Sequence, residues 1–164
     1  MDILKYSLGD LLLTALKSEI EARDFYKSLA GPIENYFLKD RILFLSAEEE
    51  KHRQAVENMY RQQFPGQELI IPEKSPVPLP GLKIEKETMP VSEVFFVAMQ
   101  AEKAAHDFYV ELSSRFPPES EQHKLLLYIA SMEMGHYHLL NLERESALRT
   151  EDFEVTLPMV HVGP

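Results

Sequence analysis

The sequence predicts an all-α fold, a four-helix bundle made of two antiparallel helix pairs joined by one long crossover. Three observations predict it. Helix-breaking residues cluster in four places: Gly31-Pro32, the stretch from Pro65 to Pro90, Pro117-Pro118, and the tail after Thr150. The four intervening segments each show apolar residues at alternating spacings of four and three, the spacing of one helix face. The second and third segments are separated by six prolines, Pro65, Pro72, Pro76, Pro78, Pro80 and Pro90, so no helix bridges them.

The helices are expected at about 8–30, 33–63, 90–115 and 118–148, with a crossover at 64–89 and an extended tail at 150–164. Ser7 is the expected N-cap of the first. Pro32, Pro90 and Pro118 each stand where a helix can begin, the position that tolerates a missing N–H. Short turns make helices one and two antiparallel neighbours, and likewise three and four. If helix three runs parallel to helix two, the connection must travel the length of the bundle, which some 26 residues of extended chain do easily. That need explains a loop which is otherwise too long for a compact domain. The tail alternates Phe153, Val155 and Leu157 and is expected to pack extended against the bundle or a second subunit.

The chain has 164 residues, a length suited to a single domain over 1–164. No apolar run is long enough to span a membrane, and Met1-Asp2-Ile3-Leu4-Lys5 does not begin a signal peptide, so a cytoplasmic protein is expected. A net charge of −10 disfavours nucleic acid and anionic membrane as partners. The absence of cysteine excludes disulfides, thiol catalysis, Cys-ligated zinc and iron–sulfur centres. Metal or redox chemistry, if present, falls to carboxylates and imidazoles.

The stripes show where carboxylates go. They read Leu8, Leu12, Ala15, Glu19, Ala22, Tyr26, Leu29 in the first helix and Leu38, Ile42, Leu45, Glu49, His52, Val56, Met59 in the second. The third reads Val91, Phe95, Ala98, Glu102, Ala105, Tyr109, Leu112, and the fourth Gln122, Leu126, Ile129, Glu133, His136, Leu140, Glu143. Each is apolar through its middle except at one level, where every helix places a glutamate, and alternate helices add a histidine three residues on. The halves repeat one another: Ala15, Glu19, Ala22, Asp24, Phe25 and Tyr26 recur 83 residues later, and Glu49/His52 recur as Glu133/His136 after 84. A duplication with a pseudo-twofold axis brings the four glutamates and two histidines to one central point.

Burying four unpaired carboxylates is costly, and no Lys or Arg lies on these stripes. They can stay protonated, or they can bind cations. Two divalent ions supply the charge that cancels four carboxylates, and two imidazoles complete a mixed oxygen and nitrogen shell suited to iron or manganese. Ala15, Ala22, Ala98 and Ala105 leave room between the helices.

Plainer readings stand beside this one. Two Glu-x-x-His pairs alone do not persuade, since chance supplies roughly 0.8 in such a composition. Ser46 and Glu49 have the spacing of a capping box, but the apolar stripe runs unbroken before them. Glu48 and Glu50 point off the stripe and are expected in solvent. His106, His123, His138 and His161 read as surface or structural. Tyr26 and Tyr109 are either ordinary core aromatics or hydrogen-bond donors to a ligating carboxylate, or a radical or proton relay. Gly135, in the fourth helix, implies close helix approach or a local distortion.

With these residues in view, the chain resembles the ferritin-like di-iron carboxylate superfamily, and within it the rubrerythrin type, over about Leu8 to Leu148. The motif set is Glu19, Glu49-x-x-His52, Glu102 and Glu133-x-x-His136. The resemblance implies a ferritin-like bundle in which Glu49 and Glu133 bridge two metals, Glu19 with His52 and Glu102 with His136 filling terminal positions. The metals implied are iron, with manganese or zinc as alternatives, and the activity is reduction of peroxide or dioxygen. The alternatives are a ferroxidase for iron storage or delivery, and a metal-stabilised interaction module without turnover. Rubrerythrin proper carries a further glutamate where this chain has Ala105, and a four-cysteine rubredoxin module of which this sequence has no counterpart. Electrons are therefore expected from a separate donor protein or a small reductant. A homodimer is implied by the same resemblance.

Overall fold

A computed structural model describes residues 3–79, 82 and 89–156, with 152–156 described in backbone only. After a 3-10 turn at Ile3–Lys5, four helices follow: α1 (Leu8–Ala30), α2 (Tyr36–Gln63), α3 (Val91–Ser113) and α4 (Glu121–Thr156). No strand occurs among the described residues.

The helix starts follow side-chain acceptors more than prolines. Ser7 caps α1 in a reciprocal capping box with Asp10. Asn35, not Pro32, begins α2, accepting the Leu38 N–H at 3.1 Å. Ser120, not Pro118, precedes α4, its Oγ accepting the His123 N–H at 3.2 Å. Proline offers no such acceptor, so Pro32 and Pro118 fall in the turns ahead of the helices. Pro90 is the N-cap of α3 and makes no side-chain cap. That helix end is satisfied from a distance: Glu151 on α4 accepts the Ser92 N–H at 3.1 Å and its hydroxyl at 2.6 Å.

This contact bears on the tail. Extended chain was expected from 150, but α4 runs on to Thr156. No proline or glycine interrupts 150–156, and the carboxylate that caps α3 stands within that stretch. The remainder, 157–164 with His161, lies outside the described residues.

The core divides into two clusters. One gathers Leu11, Leu12 and Leu16 of α1 with Val56 and Met59 of α2, Tyr109 and Leu112 of α3, and Leu126 and Ile129 of α4. The other gathers Tyr26 and Ala30 of α1 with Ile42 and Leu45 of α2, Phe95 and Ala98 of α3, and Leu140 of α4. The first half of α2 and the first half of α3 thus lie in the same layer, so these helices are parallel. The crossover must therefore span the bundle. Leu69, Ile71 and Leu79 pack on the first cluster and Leu82 on the second. Val77 is fully buried, and its N–H bonds Thr14 Oγ1 at 3.2 Å. Between the two apolar layers lies the level at which every helix carries a glutamate.

Candidate metal centre

Glu19, Glu49, His52, Glu102, Glu133 and His136 meet at that level, each at most 4 % exposed. The repeat of heptad-like spacing keeps the six on the inward faces, and the antiparallel pairing within each hairpin brings the levels together. His52 Nδ1 faces Glu133 Oε1 at 3.0 Å, Glu49 Oε2 at 3.3 Å and Glu19 Oε2 at 3.6 Å. His136 Nδ1 faces Glu49 Oε1 at 3.0 Å, Glu133 Oε2 at 3.2 Å and Glu102 Oε2 at 3.6 Å. The two imidazole rings are stacked, their centroids 5.5 Å apart and their planes 24° from parallel. Glu49 and Glu133 thus each turn one oxygen to His52 and the other to His136, while Glu19 and Glu102 each serve one side.

The outer glutamates are held from across the bundle. Tyr26 of α1 donates its hydroxyl to Glu102 Oε1 on α3, and Tyr109 of α3 donates to Glu19 Oε1 on α1. The sequence places each tyrosine two turns from the glutamate of its own helix. The structure pairs it with the glutamate of the other hairpin, an exchange that the pseudo-twofold repeat makes reciprocal.

Protons balance the charge of this cluster. Burial, then the Glu133 charge, pushes the Glu19 carboxyl well up; burial, then Glu49, does the same for Glu102. Burial also opposes ionisation of Glu49 and Glu133, but contacts with His136 and His52 overcome it and hold both below the usual carboxylate range. Burial disfavours the imidazolium, yet the surrounding carboxylates win: His136 is pushed up to about 12, and His52 is raised as well. Burial, then Glu102 or Glu19, raises the two tyrosine hydroxyls, which remain donors. The outer carboxyls and the imidazoles are raised and Glu49 and Glu133 lowered, directions that together favour an uncharged cluster.

The donor set fits a pair of metal ions. Glu19 Oε2, Glu49 Oε1, both Glu133 oxygens and both Nδ1 atoms are buried without a hydrogen-bond partner. That is unusual for polar atoms in a core, where unpaired groups are expensive. Two groups of four converge closely enough to hold an ion each: Glu19, Glu49, His52, Glu133, and Glu49, Glu102, Glu133, His136. Mixed carboxylate and imidazole donors suit first-row divalent metals.

A cavity of about 30 Å³ reaches the cluster between α1 and α3. Ser18, Ala22, Ala101 and Ala105 line its walls, Glu19, Glu49, Glu102 and Glu133 its inner end, and Leu82 of the crossover also borders it. Such a volume admits about two water-sized molecules. Nothing in the periodicity points to Leu82, since crossover residues carry no helical register.

Other expectations need correction. Glu48 is not in solvent: it is 8 % exposed and pairs with Lys51 at 2.5 Å. Glu50 is half-buried in a network, 2.8 Å from both Arg23 and Arg53, and these guanidinium groups hold its carboxyl well below the usual range. His106, His123 and His138 are surface or structural as expected: His123 links helix ends through Ser113 O at 2.8 Å. His106 meets Asp107 at the surface, and His138 is exposed. Gly135 lies in uninterrupted helix with no neighbouring atom within 4 Å of where a Cβ would stand, so neither close approach within the chain nor a helix break accounts for it.

Comparison with known proteins agrees with this architecture. The chain is similar to a hypothetical protein from Pyrococcus furiosus of known structure, at 37 % identity over 90 % of this chain and 94 % of the other, with a TM-score of 0.74. A search of curated proteins found no match. Among the described residues no helix is long and apolar enough to cross a membrane. The rubrerythrin family model matches residues 10–143, a span that takes in all six clustered side chains and both tyrosines. Four helices, one crossover and a buried carboxylate–histidine cluster within that match place this chain in the rubrerythrin family.

Proposed function

We propose that the chain is a non-haem dinuclear iron protein that reduces peroxide or dioxygen, taking electrons from a separate donor protein or a small reductant. The observation that carries this reading is the division of the Glu49 and Glu133 oxygens between the two histidines. It supports Glu49 and Glu133 as bridging ligands, with Glu19 and His52 completing one position and Glu102 and His136 the other. When bound, a ferrous pair supplies the two electrons that convert peroxide to water. The chain's own residues do the rest. Tyr26 and Tyr109 hold the outer oxygens of Glu102 and Glu19, leaving each Oε2 turned inward. The apolar layers above and below exclude bulk water. The cavity between α1 and α3 limits access to an oxidant of a few atoms, and Ala22 and Ala105 leave that path open on both sides of the pseudo-axis.

Anaerobic loading with ferrous iron tests the reading: about two irons per chain should bind, and added peroxide should be consumed with oxidation of the site. A loaded protein that leaves peroxide unreacted overturns it. Uptake and retention of many more than two irons per chain would instead identify a ferroxidase that stores or delivers iron. Unchanged function after joint Glu49→Gln and Glu133→Gln substitution would identify a module that needs no metal.

A further inference from the structure

The cavity between α1 and α3 has walls of unequal bulk. Ser18 and Ala22 of α1 face Ala101 and Ala105 of α3, all of them small. Glu21, also on its border, pairs with Lys17 at 2.9 Å on the exposed side of α1. Leu82 is the one large apolar side chain among the described residues that line it, and the one supplied by the crossover. His52 and His136 stand on α2 and α4 and do not border the cavity, so it approaches the carboxylates from a side that the imidazoles do not occupy.

Leu82 is held at that position from two directions. Its own side chain is half-buried and packs on the second apolar cluster. Five residues earlier, Val77 is fully buried and donates its N–H to Thr14 Oγ1 at 3.2 Å, while Ser75 Oγ donates to the Val77 carbonyl at 2.6 Å. Thr14 lies one turn before Ser18 on α1, so the anchor sits beside the cavity. Thr14 to Ala22 is about 12 Å along the helix, and five residues of chain span at most about 18 Å, so the anchor keeps Leu82 within reach of the cavity. Leu79 packs on the first apolar cluster and Leu82 on the second, and the two therefore bracket the level of the carboxylates.

We infer that Leu82 sets the width of this cavity and thereby selects hydrogen peroxide over alkyl hydroperoxides. The inference rests on the peroxide reduction proposed above and names the residue that decides its substrate. Chemistry alone does not discriminate. Each peroxide takes two electrons and two protons as its O–O bond breaks; hydrogen peroxide gives two waters, and an alkyl hydroperoxide gives water and an alcohol. The electrons in both cases are those of the ferrous pair. Width does discriminate. A volume of about 30 Å³ holds about two water-sized molecules, which the two oxygens of hydrogen peroxide match and the branched carbon body of tert-butyl hydroperoxide exceeds. The facing helix walls are already alanine and serine, so side-chain bulk limits the opening at Leu82.

Two measurements on the full chain test this. Loaded with cobalt(II), the protein reports a new ligand through its visible bands without turnover. Azide should shift those bands in the wild type, and benzoate should not. Leu82→Ala should bind benzoate at least tenfold more tightly than the wild type, with azide affinity unchanged. Leu82→Trp should weaken azide at least tenfold, so the result does not hang on one variant. Loaded anaerobically with ferrous iron, the protein should consume hydrogen peroxide faster than tert-butyl hydroperoxide. That ratio of rates should fall at least tenfold in Leu82→Ala and hold in Leu82→Met, which conserves volume. Benzoate binding the wild type as tightly as Leu82→Ala, or a ratio that Leu82→Ala leaves unmoved, overturns the role of Leu82 and leaves peroxide reduction standing. An iron-loaded protein that consumes neither peroxide overturns the reaction instead, and the anion titration still decides whether Leu82 is the filter.

Discussion

Loading the site with metal should expel about four protons per chain. Four carboxylates and two imidazoles form an uncharged cluster only when they share four protons. The groups fit to carry them are Glu19, Glu102, His52 and His136, whose pKa values are all raised, with His136 pushed up to about 12. All six donors must be deprotonated to bind metal. Two divalent ions then restore the same zero charge, so the reaction exchanges four protons for two ions. The sign follows. Below the raised values the protons compete with metal, so apparent affinity climbs with pH. Each proton still bound at the working pH is worth about 1.4 kcal/mol per pH unit, so where all four are bound the overall constant for the pair rises about ten-thousand-fold per unit, or about 100-fold per ion. Calorimetric titration with redox-inert zinc in buffers of different ionisation enthalpy counts the protons. Release of fewer than three protons, or an affinity flat between pH 6 and 8, would refute the argument that the cluster is neutral without metal.

Three further outcomes are expected. Glu49→Gln with Glu133→Gln should abolish binding of both ions, whereas Glu19→Gln should weaken one position more than the other, as elemental analysis and metal titration would show. Tyr26→Phe and Tyr109→Phe should each cost about 1–3 kcal/mol in the metal-free protein, read from urea unfolding, because a buried carboxyl loses its donor. A loss under about 0.3 kcal/mol would mean the hydroxyl contributes nothing to holding the ligand. Ala105→Phe should fill the cavity between α1 and α3 and slow peroxide consumption at least tenfold while metal content stays at two per chain; an unchanged rate would show that oxidant enters elsewhere.

The level of the carboxylate–histidine cluster was legible because helical periodicity is a property of each segment alone. A glutamate interrupting an apolar stripe declares its face and its height, and four segments declare the same height. Which helix a side chain meets is a different matter. Tyr26 lies on the same stripe as Glu19, yet its hydroxyl reaches Glu102. A long side chain leaves its own helix face and crosses the bundle, so its partner depends on packing between hairpins. Glu48 shows the converse: one step off the stripe by register, it is still buried, because a wide helix face is covered when neighbours flank it on both sides. The boundaries erred for a local reason, since Asn35 and Ser120 supply acceptors that proline lacks. The tail erred for a distant one. Alternating Phe153, Val155 and Leu157 reads as extended chain in isolation, but α4 persists through Thr156, where Glu151 satisfies the uncapped start of α3.

That last contact ties the fold to the site. Helix α3 carries Glu102 and Tyr109 but begins at a proline with no side-chain cap, so its N-terminal donors depend on α4. Helix α4 carries Glu133 and His136, and its extension reaches Ser92 only if the two helices keep one register. Sliding either helix by a turn, about 5.4 Å, would break the Glu151 contact and separate the ligands of the His136 position together. The equivalent hairpin, α1 with α2, has no such extension. Its register rests on Ser46 Oγ donating to the Arg23 carbonyl at 2.9 Å and on Arg23 bonding Glu50 at 2.8 Å. The duplicated halves therefore hold equivalent ligands with unlike fastenings: side-chain bonds near the ligand level in one, a helix end in the other. Duplication preserved the inward stripe, where each residue answers to the whole cluster. It did not preserve the means of holding register, which any bond of sufficient strength along the hairpin can supply.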